Sequence, residues 1–340
     1  MTAFALYRLP NESHCTLLEQ THGEPCELLS CADLNGREGF VFAPFAANAA
    51  HPILLLRADR VRRMDVRPQE WRRGAAACEK AVAGERESYA GDFAKFHAQL
   101  QCGGLDKVVL SRRSRMSCSG NVSAEELFWR ACHLYPRLFV ALVHTSRGGT
   151  WLMATPEVLL GGNGGEWTTM ALAGTMAAGG DIASVEWSDK NRAEQQYVAS
   201  YIGERLEGFA SDVRTDGPYT TTAARLFHLR TDFMFTLRDF GRVGDLLDVL
   251  HPTPAVCGVP KAEARRFILH EESVDRRYYS GFCGPLFPQA DTHLFVSLRC
   301  MEIHNGSCDL YAGGGILPGS DAESEWAETE AKLETMRNLF

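Results

Sequence analysis

Short runs of alternating apolar and polar residues predict many β-strands along this chain. Runs such as 40–45, Ile53–Leu56 and 138–143 are bounded by glycine, proline or polar turns. Residues 149–175 have the pattern of an antiparallel meander with glycine turns. Asn305-Gly306 separates two alternating runs, which predicts a tight hairpin. We interpret 293–304 as one continuous strand of this hairpin, with Arg299 in its middle.

Apolar residues at helical spacing predict helices between these strands. The predicted helices cover 87–100, 123–133, 188–209, 243–250 and a segment from Ser320 almost to the C-terminus. Ser123 with Glu126, and Ser320 with Glu323, have the spacing of capping boxes. A strand is predicted over 224–230, and a loop over 211–220. Strands and helices without regular βαβ alternation indicate an α+β fold.

The C-terminal helix places charged residues beside its buried stripe. At about 100° per residue, Trp326, Leu333 and Met336 share the apolar face. Glu325 and Glu328 lie on its border, as does Lys332. One interpretation is a surface ion pair between Glu328 and Lys332. The other is a cleft in which two carboxylates share a hard cation and the lysine meets an anion.

Three other charged residues leave similar alternatives open. Lys107 begins a strand, where a lysine is usually exposed. Glu194 lies on the edge of an apolar helix face, as either a partner of an arginine or a metal ligand. A guanidinium in mid-strand is costly unless it meets an anion, so Arg299 contacts either a ligand carboxylate or a structural glutamate.

Composition and charge limit the class of protein. The chain has 340 residues, 45% of them hydrophobic, and a formal net charge of -8. This acidic balance argues against a general nucleic-acid-binding protein. The 11 cysteines show no C-x-x-C pair, which favours reduced thiols in the cytoplasm. No apolar run approaches the length of a membrane span, and no linker separates domains.

An ordered set of motifs resembles the chorismate-utilising enzymes, the family of isochorismate, salicylate, anthranilate and aminodeoxychorismate synthases. The resemblance covers about residues 88–340. The motifs are Lys107-Val-Val-Leu-Ser-Arg112, Ala154-Thr-Pro-Glu157, Leu172-Ala-Gly-Thr175, His251-Pro-Thr-Pro-Ala-Val-Cys-Gly258, Tyr279-Ser-Gly281, Leu298-Arg299, Ala312-Gly-Gly-Gly315 and Glu325-Trp-Ala-Glu328-Thr-Glu-Ala-Lys332.

This resemblance implies a fold and a domain organisation. The expected fold is α+β, with two packed, largely antiparallel β-sheets flanked by helices around a central cleft. We expect a single composite domain over 1–340, in which 1–85 form a shortened variable N-terminal part and 88–340 the chorismate-binding catalytic core.

The resemblance also implies an isochorismate synthase that uses Mg²⁺, water and chorismate, for menaquinone or siderophore biosynthesis. Lys107 matches the general base that activates water, where ammonia-using relatives typically have glutamine. A lysine desolvated in a cleft can act in this way. Glu157 matches the general acid that protonates the departing C4 hydroxyl, for which a carboxyl needs a raised pKa.

The other site residues follow from the same resemblance. Glu194 and Glu328 would bind Mg²⁺, with Glu325 behind them or joined through water. Residues expected to contact or border the substrate are Gly174, Thr175, His228, Tyr279, Arg299, Gly315 and Lys332. Departures from the family pattern are Ala171, where proline is common, and Asn191, where some salicylate synthases have glutamate.

Three alternatives remain beside isochorismate synthase. A salicylate synthase would also eliminate pyruvate from isochorismate, and Lys107 does not separate the two. An anthranilate or aminodeoxychorismate synthase component would need a glutaminase partner, which we do not expect here. A catalytically inactive chorismate-binding regulatory protein would give no role to Lys107 and Glu157 together. The chain is expected to be a monomer or weak homodimer.

Overall fold

The computed structural model describes residues 3–66, 78–80, 84–118, 123–177, 182, 185–223 and 226–340. Its helices are α1 (Glu85–Gln101), α2 (Ala124–Leu134), α3 (Asp189–Leu206), α4 (Val243–Leu250), α5 (Lys261–Glu271) and α6 (Ala322–Arg337). Its strands are β1 (Ala3–Arg8), β2 (His14–Gln20), β3 (Cys26–Leu28), β4 (Gly39–Ala43), β5 (Ile53–Leu56), β6 (Arg60–Asp65), β7 (Cys78–Lys80), β8 (Lys107–Cys118), β9 (Phe139–Thr145), β10 (Gly149–Thr155), β11 (Val158–Gly162), β12 (Trp167–Ala177), β13 (Ala210–Ala223), β14 (Leu226–Leu237), β15 (Gly258–Val259), β16 (Phe282–Leu286), β17 (Thr292–Val296), β18 (Cys300–His304) and β19 (Ser307–Ile316).

The strands form two large sheets, and the pairings among the described strands are antiparallel. The ten-stranded sheet has the order β15-β8-β19-β18-β10-β9-β1-β2-β6, with β7 also paired to β8. The nine-stranded sheet has the order β13-β14-β12-β11-β17-β16-β4-β5-β3. Strands from the first 66 residues enter both sheets: β1, β2 and β6 belong to the first, and β3, β4 and β5 to the second.

Aromatic residues fill the space between the two sheets. Phe139 of β9 stacks on Phe295 of β17 with ring centroids 4.2 Å apart, and Phe42 of β4 stacks on Tyr278 at 4.0 Å. These rings belong to a buried cluster drawn from both sheets. Alternating side chains of each strand therefore bury one face against the opposite sheet.

Helices cover the remaining faces. Residues of α3 and α4 pack on the nine-stranded sheet, and residues of α2 and α6 pack on the ten-stranded sheet. Helices α1 and α5 enclose the beginning of β8. The expected architecture of two antiparallel sheets flanked by helices is confirmed. No helix within the described ranges is long and apolar enough to cross a bilayer.

Three local predictions were wrong. Helix α6 begins one residue later than expected, because the Asp321 side chain caps Ser324 while the Ser320 hydroxyl accepts a hydrogen bond from the Leu317 amide. Residues 211–220, expected as a loop, belong to β13, which pairs with β14 despite register shifts. By contrast, the strand predicted over 224–230 is confirmed for residues 226–230, which belong to β14, while Ala224 and Arg225 lie outside the described residues.

The third error concerns the segment 293–304, which is not one strand. Strand β17 belongs to the nine-stranded sheet and β18 to the ten-stranded sheet. The chain crosses between the sheets at Leu298 and Arg299, and Arg299 adopts a left-handed backbone with φ of 45°. The alternation continues through this crossing, so the sequence pattern conceals the break. Arg299 thus lies at the junction of the two sheets rather than in mid-strand.

Candidate active site

A small, partly enclosed cavity lies where the two sheets and helices α3 and α6 meet. Among the residues expected to form the site, those lining the cavity are Glu157, Gly174, Thr175, Glu194, His228, Tyr279, Arg299, Gly315 and Lys332. The other three are Lys107, Glu325 and Glu328, and each contacts a residue or backbone segment bordering the cavity.

Lys107 is fully buried at the start of β8 and forms an ion pair with Glu194. Its Nζ lies 2.9 Å from Glu194 Oε1. Strand β15 pairs with Lys107 and Val108 and covers this end of the sheet, while α3 supplies the carboxylate. The ion pair keeps the pKa of Glu194 below its ordinary value, although burial alone would raise it. Lys107 is therefore buried, unlike most lysines at the start of a strand.

Two further lysines pair with the glutamates of α6. Lys332 Nζ lies 2.6 Å from Glu328 Oε1 and donates a hydrogen bond of 2.8 Å to the Gly313 carbonyl. Lys190 contacts Glu325 Oε1. Burial raises the pKa of Glu325, and Lys190 opposes this rise. The sequence analysis missed Lys190, although its position four residues before Glu194 places both on the same face of α3.

The carboxylates of the site face the backbone of Gly314 and Gly315. A Cβ on Gly315 would collide with Glu194 Oε1 and lie 2.8 Å from Lys107 Cε. A Cβ on Gly314 would lie 3.1 Å from Glu325 Oε2 and 3.6 Å from Glu328 Oε1. The two glycines therefore leave space that any side chain would fill, with glutamate oxygens from α3 and α6 around it.

These residues fit a hard divalent cation. Carboxylate oxygens are the donors that Mg²⁺ prefers, and Mg²⁺ usually takes one or two of them together with substrate and water oxygens. Glu325 Oε2 is buried and has no hydrogen-bond partner within the described residues. Lys107, Lys190 and Lys332 neutralise the carboxylates of Glu194, Glu325 and Glu328 through ion pairs.

Glu157 lines the cavity and follows shortly after β10. Its side chain is 2% exposed. Burial raises the pKa of Glu157 to about 8, although Lys107, Lys332 and Arg299 act to lower it. Its Oε1 makes no hydrogen bond to any described group. The carboxyl group therefore retains its proton at neutral pH and has a free oxygen beside the cavity.

His228 and Arg299 form a polar pair that also lines the cavity. His228 Nδ1 lies 3.1 Å from the Gly174 carbonyl, and Nε2 lies 3.2 Å from Arg299 Nη2. Since the guanidinium can only donate, Nε2 accepts its hydrogen bond and Nδ1 carries the proton. Burial, and then the charges of Arg299 and Lys332, hold the pKa of His228 well below its ordinary value. The imidazole is therefore neutral.

Arg299 is buried without a carboxylate in direct contact among the described residues. Burial lowers the pKa of Arg299 to about 10, and its Nη1 has no described hydrogen-bond partner. Its left-handed backbone is a costly conformation for a non-glycine residue, of the kind found at functional sites. The structural-glutamate interpretation of Arg299 is thus not supported, and the guanidinium is available to a ligand anion.

Residues 174 and 175 contact both Glu194 and His228. Gly174 has φ of +73°, a conformation that favours glycine, and its amide lies 3.3 Å from Glu194 Oε2. The Thr175 hydroxyl lies 3.3 Å from His228 Nδ1. The buried ring of Tyr279 stacks on Tyr311, and the Tyr279 hydroxyl lies against Gly313. All of these groups border one space.

Comparison with known proteins identifies the family. The family model described as "Chorismate binding enzyme" matches residues 49–340. The chain belongs to this family of chorismate-binding enzymes. The resemblance seen in the motifs is thereby confirmed, and the match begins earlier in the chain than the motifs suggested.

Individual relatives agree with this assignment. The isochorismate synthase EntC of Escherichia coli K12 is 31% identical over 247 residues, which are 69% of this chain and 62% of the relative. A salicylate biosynthesis isochorismate synthase of Pseudomonas aeruginosa is 33% identical over 277 residues, 78% of this chain and 57% of the relative. The matches thus span about three fifths of these relatives. The solved structure of DhbC from Bacillus anthracis has a TM-score of 0.85 at 23% identity, covering 99% of this chain and 96% of that one, and supports the fold.

Proposed function

We propose that this protein is an isochorismate synthase, which converts chorismate and water into isochorismate with the help of Mg²⁺. The observation that carries the proposal is a cavity lined by a protonated glutamate, Glu157, and by Glu194, whose carboxylate pairs with the buried lysine Lys107. Lys107 is fully buried beside Glu194, and Glu157 has a pKa raised to about 8 by burial. The relatives named above carry this activity in their names.

The two groups have opposite tasks in the reaction. Lys107 takes a proton from the water that forms a new bond to C2 of the ring. The ring double bonds shift, the C4–O bond breaks, and Glu157 gives its proton to the departing hydroxyl, which leaves as water. One proton is taken and one is supplied, so the charges balance. A positioned acid or base of this kind contributes about 10²- to 10⁴-fold to a rate.

The cations and hydrogen-bond donors of the cavity suit the substrate's two carboxylates. Arg299 has an unused Nη1, and Lys332 lies on the same cavity. A buried guanidinium binds a carboxylate strongly because the pair forms charge-assisted hydrogen bonds. Tyr279 and the backbone near Gly315 border the same region. His228 and Thr175, hydrogen-bonded to each other, would adjoin the ring hydroxyl.

Mg²⁺ would be held by Glu194 and Glu328, with Glu325 in direct contact or through water. When bound, it would supply positive charge to a substrate carboxylate. Glu194 also pairs with Lys107, and an amine accepts a proton only in its uncharged form. The proposal therefore requires Glu194 to exchange Lys107 for another cation in the substrate complex.

The experiment that tests this function is incubation of the pure protein with chorismate, with Mg²⁺ or with EDTA, followed by chromatography of the products. We expect isochorismate as the sole product, formed only when the metal is present. Salicylate with equimolar pyruvate would instead show that elimination follows. A requirement for ammonia would contradict the role of Lys107, and absence of turnover under every condition would contradict the proposed function.

A further inference from the structure

Arg276 and Glu272 form a buried ion pair behind the cavity wall. Arg276 Nε donates to Glu272 Oε2 at 2.6 Å, and Nη2 donates to Oε1 at 2.8 Å. The two side chains are 3% and 2% exposed. Neither residue lines the cavity. The two charges neutralise each other away from the cavity, so the pair does not bind substrate directly.

The same guanidinium also holds the backbone of two cavity walls. Its Nη2 donates to the Val109 carbonyl in β8 at 2.7 Å, and its Nη1 donates to the Val256 carbonyl at 2.8 Å. Val109 and Val256 both line the cavity. Glu272 Oε1 in turn accepts a hydrogen bond of 2.7 Å from the Ser111 amide. One ion pair therefore joins β8 to the loop over residues 251–257.

Lys107 lies in the strand that this ion pair contacts. Lys107 lies two residues before Val109 in the same strand, so both side chains point to the same face. The backbone of Arg276 also accepts a hydrogen bond from the amide of Tyr279, another cavity residue. The Arg276 side chain thus contacts the main chain of two parts of the cavity wall, and the Arg276 carbonyl contacts a third.

We propose that Arg276 and Glu272 are positioning residues, which keep the strand of the general base Lys107 at a fixed distance from the loop and the substrate cavity. This inference rests on the proposed function. Arginine suits the task because its planar group directs several hydrogen bonds at once, which a lysine ammonium cannot reproduce with the same geometry. A displacement of about 1 Å at a reacting group can lower a rate by about 10²-fold.

The test compares Arg276→Lys with Arg8→Lys. Arg8 is a matched control because it is 2% exposed and donates to three backbone carbonyls, those of Cys132, Tyr135 and Leu138, away from the cavity. Arg276→Lys should lower kcat by about 10- to 100-fold and change KM much less. Arg8→Lys should lower Tm but leave kcat within about twofold. Glu272→Gln, which retains an acceptor for Ser111, should give a smaller loss of kcat.

Hydrogen exchange supplies a readout that does not depend on activity. Peptides covering 107–112 and 253–258 should exchange faster in Arg276→Lys than in the wild type or in Arg8→Lys. Unchanged exchange in both peptides, or an unchanged kcat in a folded Arg276→Lys variant, would overturn the positioning role. If the wild type itself had no turnover, the proposed function would fail, while faster exchange would still support the structural connection.

Discussion

Two clusters of buried carboxylates in the molecule have different counter-ions. In the β18–β19 hairpin, Glu302 and Asp309 are cross-strand partners, 4% and 2% exposed. Asp309 receives two hydrogen bonds from Arg115, at 2.6 and 2.7 Å, and Glu302 contacts Arg277. In the cavity, by contrast, the counter-ions of the glutamates are lysines.

Distance alone would select the hairpin cluster, rather than the cavity glutamates, as a metal site. The ligand atoms of Glu302, His304 and Asp309 lie within 4.8 Å of one another, and no other described trio of metal-binding side chains meets this condition. The three cavity glutamates are further apart. However, the oxygens of Asp309 are already occupied by the two nitrogens of one guanidinium. A cation would have to displace an arginine there.

The type of counter-ion distinguishes the hairpin cluster from the cavity cluster. Arginine binds a carboxylate through two parallel hydrogen bonds, whereas lysine is a flexible point charge that can turn away. The hairpin cluster is therefore suited to permanent neutralisation and the cavity cluster to exchange of partners. Most of the following predictions compare a residue of one cluster with a residue of the other, or with a control residue outside both clusters.

The largest effect is expected for Lys107→Met in the cavity. This change preserves the bulk of the side chain but removes the amine, so we expect kcat to fall by about 10²- to 10⁴-fold. Chorismate binding, measured by calorimetry, should change little. Lys261→Met is the control, since Lys261 donates to carbonyls at the end of α4 and lies outside the cavity. Comparable losses of kcat in both variants would contradict the role of Lys107.

Glu157→Gln should lower kcat by about 10²-fold or more, because an amide cannot protonate the leaving hydroxyl. The wild-type kcat/KM should fall above pH about 8, as Glu157 loses its proton. Glu302→Gln, in the hairpin cluster, should retain this pH profile. A wild-type profile that is flat from pH 7 to 9.5 would contradict the assignment of Glu157 as the acid.

The carboxyl group of Glu157 should also lower the free energy of unfolding at high pH. Because the folded state keeps this proton up to about pH 8 and the unfolded state releases it near the ordinary value, the free energy of unfolding falls as pH rises between the two. Glu157→Gln removes this dependence, so the variant should be more stable than the wild type at pH 8 by at least about 1 kcal/mol. Denaturant unfolding at pH 5 and pH 8 measures the difference, and equal stability of both proteins at pH 8 would argue against a raised pKa.

Metal binding should distinguish the two clusters directly. Glu328→Gln removes a carboxylate oxygen from the cavity set, and we expect the Mg²⁺ concentration for half-maximal activity to rise by about 10- to 100-fold. Calorimetric titration with Mg²⁺ in the absence of substrate gives a second reading. Glu302→Gln should bind Mg²⁺ as the wild type does. The interpretation of the two clusters would be reversed if Glu302→Gln lost the metal and Glu328→Gln retained it.

Much of the cavity was accessible from the sequence because its residues lie in local motifs. The helix periodicity placed Glu325, Glu328 and Lys332 beside a buried face, and the family motifs supplied the rest. The pairing of Lys107 with Glu194 was not accessible, because it joins β8 to a helix about 90 residues later. Arg299 was misplaced for a related reason, since a change of sheet leaves the alternation of side chains intact.

The smallest effect should come from the arginine-paired cluster, and it should appear in stability alone. Asp309→Asn removes the carboxylate whose oxygens lie 2.6 Å from Arg115 Nε and 3.8 Å from Arg113 Nη1. Loss of a charged hydrogen-bond acceptor at a buried position costs about 1–3 kcal/mol of unfolding free energy. The kcat should be unchanged, because none of these side chains reaches the cavity. Denaturant unfolding and steady-state kinetics of the same preparation test both statements, and a selective loss of kcat at full stability would show that the hairpin cluster, too, serves the reaction.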